Sequence, residues 1–476
     1  MNSNLTRYLS NTEGNVFALI NLPPEVRAVL FAYYSRSPKS LKETLAEVLE
    51  ETGEYSESSL GLQSLEEKAA KFHEKWVVGY AHSSVAEHAV LSLGIENISI
   101  LATKALEDNR LCSYTEKSTR YVEFDKDSYF KAPELDGTPF AGRYHDLCGE
   151  LLTAYTSYLD GLREKIAARF PKGDMSERLY SSKINGMACD IARYLLPAAT
   201  LTNVGLTANA RNIAWMVSKM KSYNLPEVQQ LGIDIQTEST KICPTLIRYA
   251  DENEFLIKIE EIVKSYARGY AWDNLPSNFH YFDIDPDVVL ETLITAFLYG
   301  YEFSPFEDIV QPPMGMLDEI MEHRGPHDRL PREFEIIPCS SEISVDYGAF
   351  RDIQRHRMCT QINEPFNPGL GYDYPLGIQA GEELSSYDQL MSQAKNLYHD
   401  IVDYDSGLMN TASYCLPMAY RKRTLIQWNL REAGHFIELR SKPQGHLSYR
   451  GVAQRMWSEL NDQCPEVMKH IRVCFD

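Results

Sequence analysis

Apolar and polar residues alternate along the N-terminal half in patterns that predict a defined series of elements. An apolar segment at 15–24 predicts a strand ending in a proline turn, and an apolar helix pattern follows at 30–34. Residues 89–95 alternate as a strand does, and residues 98–106 continue with apolar positions at helical spacing. A long amphipathic helix is predicted around 147–162.

The C-terminal half repeats these patterns in the same order. They are an apolar strand at 278–286, a helix at 290–298, strand segments at 334–337 and 343–345, a helix carrying Phe350 and Ile353 with Asp346 as its N-cap, and a long helix around 390–401. Both halves then contain Leu-Pro followed at one fixed spacing by Asn-x-Arg. These matches indicate a tandem duplication with copies at 1–274 and 275–476, because residues 274–277 are turn-rich.

The overall charge narrows the class of partner. Lys and Arg number 47 against 67 Asp and Glu, a net charge of −20, which argues against broad attraction to nucleic acid or anionic membranes.

No apolar run approaches the roughly 20 residues that span a bilayer. The nine cysteines are scattered without a CxxC pair, which favours small buried side chains in a reducing cytoplasm over a disulfide framework.

Local clusters of His and Arg suggest two weaker alternatives. His323 and His327 have helical metal-ligand spacing, but Gly325-Pro326 lies between them and would break that helix, so we predict no metal site. The Arg421-Lys-Arg423 run is interpreted as exposed cations on a helix, and no nucleic-acid-binding module is recognisable.

The run Arg355-His356-Arg357 is a dense cluster of anion-binding donors in this acidic chain. The corresponding segment of the other copy reads Arg110-Leu-Cys-Ser-Tyr-Thr-Glu116-Lys-Ser118-Thr-Arg120-Tyr121. Together these residues resemble the flavin-dependent thymidylate synthases, whose signature is Arg-His-Arg, two variable residues, Ser, then Asn-Glu-x-Ser-x-Arg-Tyr. The family's other local pattern appears as His82, Glu87 and His88.

The resemblance implies an α+β fold of two fused domains, each a mixed or antiparallel sheet with packed helices. It also implies a division of labour, since each copy keeps what the other has lost. The nucleotide is expected at Arg110, Glu116, Ser118, Arg120, Arg193, Gln354 and Arg355. The flavin is expected at Arg355, His356, Arg357, Asn429, Arg431, His435, His446 and His82. Arg440 is the expected catalytic residue, placed to stabilise charge on the pyrimidine ring.

The activity implied is reductive methylation of dUMP to dTMP, with FAD as cofactor and methylenetetrahydrofolate and NADPH as co-substrates. Family members are tetramers, so two copies of this duplicated chain are expected to form a homodimer. Two alternatives remain open: flavin-dependent modification of another pyrimidine nucleotide, and a noncatalytic homologue that binds nucleotide or flavin. Whether each site is built within one chain or across two also stays open at this point.

Overall fold

A computed structural model describes residues 5–35, 37–51, 83–248, 250–266, 280–284, 286–298, 315–376 and 382–475. The chain folds into two compact units. The first unit is Met1–Ile98, Ala102–Lys117 and Thr202–Gly269, and the second is Ser99–Leu101, Ser118–Leu201 and Tyr270–Asp476. The duplication boundary at 274 lies outside the described residues and stays a prediction.

Helices and short strands alternate along the described chain, which confirms the α+β class. The helices are α1 (Pro24–Tyr34), α2 (Leu41–Glu51), α3 (Ile100–Leu106), α4 (Ala141–Arg169), α5 (Glu177–Ala192), α6 (Ala210–Lys221), α7 (Pro226–Thr240), α8 (Glu254–Tyr266), α9 (Pro286–Leu298), α10 (Met316–Glu322), α11 (Tyr347–Gln354), α12 (Glu382–Tyr404), α13 (Met409–Ala412), α14 (Leu430–Arg440), α15 (Leu447–Gln463) and α16 (Pro465–Met468). The strands are β1 (Val90–Ser99), β2 (Ser113–Glu116), β3 (Leu201–Asn209), β4 (His280–Asp283), β5 (Pro338–Asp346), β6 (Thr360–Asn363) and β7 (Arg421–Asn429).

The strands form two sheets whose strand orders match. One sheet has the order β1-β3-β2 and the other has the order β4-β5-β7-β6, so the segments β1, β2 and β3 correspond to β5, β6 and β7. The pairings β2–β3, β4–β5, β5–β7 and β6–β7 are antiparallel. The repeated strand order agrees with the repeated pattern in the sequence, and alternation along each strand determines which of its faces is buried.

Three predicted elements are wrong. Residues 15–24 form no strand; their contact with the neighbouring chain segment is a single bridge between Leu9 and Leu19. Residues 334–337 lie largely in a 3-10 turn, Arg332–Ile336, where buried Phe334 packs without a strand partner. The run Arg421 to Arg423 begins strand β7 and is not helical; Arg421 pairs with Asp373, and Arg423 pairs with Glu342 and Glu364.

The two Leu-Pro segments pair with each other about a local two-fold relation. The Ala198 amide donates to the Leu416 carbonyl at 2.9 Å, and the Met418 amide donates to the Leu196 carbonyl at 2.8 Å. Between them, Pro197 and Pro417 form an antiparallel bridge. Reciprocal bonds of this kind are the mark of a self-complementary interface. Here both sides belong to one chain and to the second compact unit.

Helix caps explain why Asn recurs at one spacing in both copies. The Asn209 side chain accepts from the Asn212 amide at 2.9 Å at the start of α6, and Asn429 does the same for Glu432 at the start of α14. Asp346 is the N-cap of α11, as predicted, because its carboxylate accepts from the Ala349 amide at 2.8 Å. Each cap satisfies a backbone donor that would otherwise lack an intrahelical partner.

Eight of the nine cysteines are buried and all nine are free, which fits the prediction of small core side chains. Burial raises the pKa of the Cys148 thiol to about 12, so this thiol stays protonated near neutral pH. Among the described residues, no helix combines the length and apolar character needed to cross a membrane.

Candidate active site

Arg193 is the centre of a buried charge network in the second unit. It follows α5 in a 3-10 turn that leads into Leu196-Pro197, and only 2% of the residue is exposed. Its Nη1 lies 3.5 Å from Asp190 on one side and 3.5 Å from Asp352 on the other. Desolvation disfavours the charged guanidinium, but Asp190 and Asp352 outweigh it and the pKa of Arg193 is raised. Arg193 is therefore a permanent cation joining the two copies.

Arg120 joins this network through Asp190. Its Nε and Nη2 donate to the two Asp190 carboxylate oxygens at 2.9 and 3.0 Å, a bidentate pair. Nη1 donates to the Tyr449 hydroxyl at 3.2 Å, and Nη2 also donates to the Gln444 carbonyl at 3.1 Å. Asp190 thus occupies one bidentate edge of the Arg120 guanidinium.

Arg440 continues the network on the other side of Asp352. Its Nη1 lies 3.5 Å from the Asp352 carboxylate, its Nη2 donates to the Asp352 carbonyl at 2.8 Å, and its Nε donates to His356 Nε2 at 3.0 Å. The guanidinium carbon also lies 5.2 Å from the Tyr449 ring centre, a cation–π contact. On the same face of α14, Ala433 and Phe436 are fully buried.

Asp346 ties the network to the helices around it. Its carboxylate accepts from the hydroxyls of Tyr194 and Ser448, the former at 3.3 Å, besides capping α11. Burial raises the pKa of Asp346 to about 6, although Arg193 and the Ser448 bond oppose that rise. The folded protein therefore binds a proton on Asp346 more tightly than the unfolded chain does. The stability that this protonation contributes is lost as the pH rises through about 6.

The Arg-His-Arg run does not act as one cluster. Helix α11 ends at Gln354, and the chain then turns so that His356 is 4% exposed while the Arg355 side chain is 67% exposed. Arg357 is half-buried, and Gln354 is buried at the end of the helix. The run therefore offers one exposed cation and one buried imidazole.

The other predicted flavin residues divide into exposed and structural groups. His435 is exposed on α14, with its ring 5.5 Å from that of His356. Arg431 donates to the Leu330 carbonyl at 2.6 Å and pairs with Glu335 at 2.6 Å. Asn429 caps α14 and donates to the Met358 carbonyl at 3.2 Å. His446 caps α15 from a buried position, where desolvation and Arg193 lower its pKa.

Several predicted nucleotide residues lie outside this network. Arg110 is exposed, and Glu116 lies on β2 and pairs with Lys104 of α3. Arg110 and Glu116 both belong to the first unit. Ser118 belongs to the second unit, where its hydroxyl accepts from the Arg120 amide at 3.2 Å. His82 lies outside the described residues. The structure thus brings together Arg120, Arg193, His356 and Arg440 within one unit of one chain.

Comparison with known proteins assigns the chain to a family. The family described as thymidylate synthase complementing protein (Thy1) matches residues 24–245 and 304–466. The chain belongs to this family. One matched segment falls in each predicted copy, which supports the tandem duplication, and the resemblance drawn from the motifs is confirmed.

Two kinds of protein are similar to this member of the Thy1 family. A UPF0159 protein of Chlamydia pneumoniae is 30% identical over 486 residues, covering 96% of this chain and 91% of that protein. A UPF0159 protein of Thermoplasma acidophilum is 28% identical and covers 84% of this chain and 88% of that protein. A flavin-dependent thymidylate synthase of Clostridium tetani is 27% identical over 187 residues, covering 39% of this chain and 72% of that protein.

Sequence reasoning missed the carboxylates of this Thy1 member. Asp190, Asp352 and Glu432 hold the arginines and the imidazole in place, yet none belongs to the family motifs. One local signal was available, because Asp190 and Asp352 each lie near the end of a helix and precede an Arg by three residues, a spacing that favours ion pairs. That spacing does not show that the two carboxylates meet at Arg193.

The absence of a side chain at Gly348 leaves room for the Arg193 guanidinium, so adding one methyl group there should affect stability. A Cβ at this position would lie 2.9 Å from Arg193 Nε and 3.0 Å from an Asp346 carboxylate oxygen. We expect Gly348→Ala to lower the free energy of unfolding by about 1–3 kcal/mol, despite the helix preference of alanine. Denaturant titration measures this.

Gly451→Ala is the matched control, since Gly451 lies in α15 with open space around its Cβ position. It should be neutral or slightly stabilising. Equal stability of the two variants would show that Gly348 does not constrain Arg193.

Proposed function

We propose that this protein is a flavin-dependent enzyme that reductively methylates dUMP to dTMP, using FAD, methylenetetrahydrofolate and NADPH. The observation that carries the proposal is the single buried network in which Arg120 and Arg193 of the first copy meet His356 and Arg440 of the second. These positions match the family's nucleotide-binding and catalytic motifs, and they come from opposite copies.

Arg193 adds a physical reason to expect an anionic ligand. Its Nε and Nη2 atoms are fully buried and have no hydrogen-bond partner among the described residues. Unsatisfied buried donors on a charged group are costly, and one common reason to keep them is a ligand that supplies acceptors. A nucleotide phosphate has that chemistry. In this proposal Arg120 and Arg193 hold the phosphate after Asp190 yields one edge of Arg120.

Exposed cationic and apolar side chains on α14 and in the segment after α11 suit a planar, partly charged cofactor. Arg355 and His435 are exposed, and Met358 and Leu439 are 68% and 42% exposed. We assign Arg355, Arg357 and His435 to hold the flavin, which supplies the hydride when bound. Arg431 and His446 are tied into the fold and would support that surface indirectly.

Arg440 provides charge stabilisation in the proposed reaction. Its guanidinium is fixed by Asp352, His356 and Tyr449, so it does not reorganise as negative charge develops on the pyrimidine. Preorganised cations of this kind lower the barrier because their orientation is set before the reaction starts. The buried cysteines play no part in the proposal.

One observation favours a noncatalytic nucleotide- or flavin-binding homologue. Asp190 already fills the bidentate edge of Arg120, and Arg193 lies between two carboxylates, so a phosphate must compete with anions of the chain itself. A protein that had lost catalysis could keep this network for stability alone. An enzyme acting on another pyrimidine nucleotide is the second alternative, since the segment after Thr360 departs from the family motif.

Purified protein separates these functions. We expect it to bind FAD and to form dTMP from dUMP, methylenetetrahydrofolate and NADPH, with product measured by chromatography. FAD binding without dTMP formation, but with turnover of another pyrimidine nucleotide, would replace the substrate. FAD or dUMP binding without turnover would favour the noncatalytic homologue, and failure to bind FAD would overturn both enzyme assignments.

Arg193→Lys tests the phosphate assignment. Lysine keeps the charge but lacks the planar fork, so dUMP should bind more weakly by about 10-fold or more while FAD affinity stays unchanged. Calorimetric titration of each ligand measures both. Equal loss of the two affinities would show a general structural effect.

A further inference from the structure

A carboxylate, an imidazole and a guanidinium lie in series behind the proposed catalytic arginine. Glu432 Oε1 lies 3.4 Å from His356 Nδ1, and His356 Nε2 accepts from Arg440 Nε at 3.0 Å. The imidazole is buried, and its ring meets Phe436 edge-on with centres 5.0 Å apart. Packing and two polar contacts therefore fix the plane of the ring.

This arrangement permits one protonation state of His356. Arginine has donors and no acceptor, so the Nε2 atom facing Arg440 must carry a lone pair. The proton of a neutral ring then sits on Nδ1, pointing at the Glu432 carboxylate, which can accept it. A positively charged ring would lose the acceptor and place a second cation against Arg440.

The other copy of the chain offers an internal comparison. The positions equivalent to His356, Glu432 and Arg440 are Asn109, Asn212 and Met220. Asn109 donates to the Leu106 carbonyl at 2.9 Å and Asn212 donates to the Leu111 carbonyl at 3.1 Å, while Met220 is fully buried. All three members differ together, and methionine has no side-chain N–H to donate. The series is present as a whole in one copy and replaced as a whole in the other.

We propose that Glu432 and His356 are positioning residues that orient Arg440, Glu432 by holding the proton on Nδ1 and His356 by accepting from Arg440 Nε. The role of Arg440 itself rests on the function proposed above. His356 thus acts through Arg440, and its burial separates this role from that of the exposed Arg355.

The charges around His356 determine how the series responds to pH. Helix α14 presents Glu432, His435 and Arg440, and α11 presents Asp352, with Arg355 and Arg357 flanking the ring in sequence. Burial lowers the pKa of His356, the bond to Glu432 opposes this, and Arg440 and His435 lower it further. The ring is therefore neutral at neutral pH, and acidification breaks its contact with Arg440.

The protonation state can be measured directly on the whole protein. Protein labelled with nitrogen-15 at histidine should show His356 as the Nδ1–H form in long-range proton–nitrogen NMR spectra, with its signals assigned by their loss in His356→Gln. Glu432→Gln removes the charge that raises the pKa of His356, so the NMR titration of His356 should move to lower pH. An Nε2–H ring, or an unchanged titration, would overturn the proposal whether or not the protein makes dTMP.

Activity provides the second readout. His356→Phe keeps a ring but removes the acceptor, and we expect kcat to fall about 100-fold, as for a catalytic group displaced by about 1 Å. His356→Gln restores an acceptor and should recover much of that loss. If His356 had only a structural role, the phenylalanine variant, which keeps a ring, would not be the less active of the two. His399→Phe, on the exposed surface of α12, is the matched control. Equal activity of the two His356 variants would contradict the series.

Discussion

Asp352→Asn is expected to lower the free energy of unfolding by about 3–5 kcal/mol, the usual cost of removing one partner from a buried ion pair. The Asp352 carboxylate lies 3.5 Å from Arg193 and 3.5 Å from Arg440, and its side chain is 12% exposed. Asparagine keeps the shape but leaves two buried guanidiniums without this counter-charge. Denaturant unfolding at neutral pH measures the difference.

The effect of Asp352→Asn should depend on pH in a defined direction. Desolvation opposes ionisation, but Arg193, Arg440 and Arg355 outweigh it and hold the pKa of Asp352 below its ordinary value of 3.8. Its stabilising contribution is therefore complete above that value and is lost as the pH falls through the folded-state pKa. The wild-type and variant unfolding free energies should converge on acidification.

Asp400→Asn is the matched control for this prediction. Asp400 pairs with Arg143 at 2.8 Å, but both side chains are about half exposed. Solvent screens such a pair, so its loss should cost about 0–1 kcal/mol. If the two asparagine variants are equally stable, the network around Arg193 is not a buried ion-pair system in solution.

The sequence predicted the long helices of both copies because periodic apolar faces determine them. The long helices α4 and α12 and the cap at Asp346 follow directly from such patterns. The strand predicted at 334–337 failed because the short apolar run around Phe334 fits a buried 3-10 turn equally well. Periodicity alone does not separate the two.

The candidate site was harder to predict from the sequence than the fold, because contacts in it cross from one copy to the other. Motif spacing identified Arg120, Arg193 and Arg440, but it treated Arg355 and His356 as one donor cluster. The end of α11 at Gln354 separates them, exposing one and burying the other. The partner carboxylates were not predicted, although Asp190 and Asp352 each precede an Arg by three residues, because a helix pattern shows a face and not what lies opposite.

Arg440→Ala is expected to lower kcat by about 100- to 1,000-fold, the cost of removing one preorganised group that stabilises developing charge. Binding of dUMP should weaken far less, because Arg120 and Arg193 hold the phosphate in the proposed site. Steady-state kinetics measure both. Arg332→Ala is the control, since that side chain is 82% exposed and pairs loosely with Glu335 at 3.3 Å.

Mixing Arg440→Ala with Arg120→Ala chains tests where this site is built. Arg120 reaches Tyr449, and Tyr449 lies against the Arg440 guanidinium, all within one compact unit of a single chain. Co-expressed chains carrying one substitution each therefore contain no complete site, and activity should stay at the level of the separate variants. Recovery of activity in purified mixed assemblies would show that Arg120 and Arg440 act from different chains.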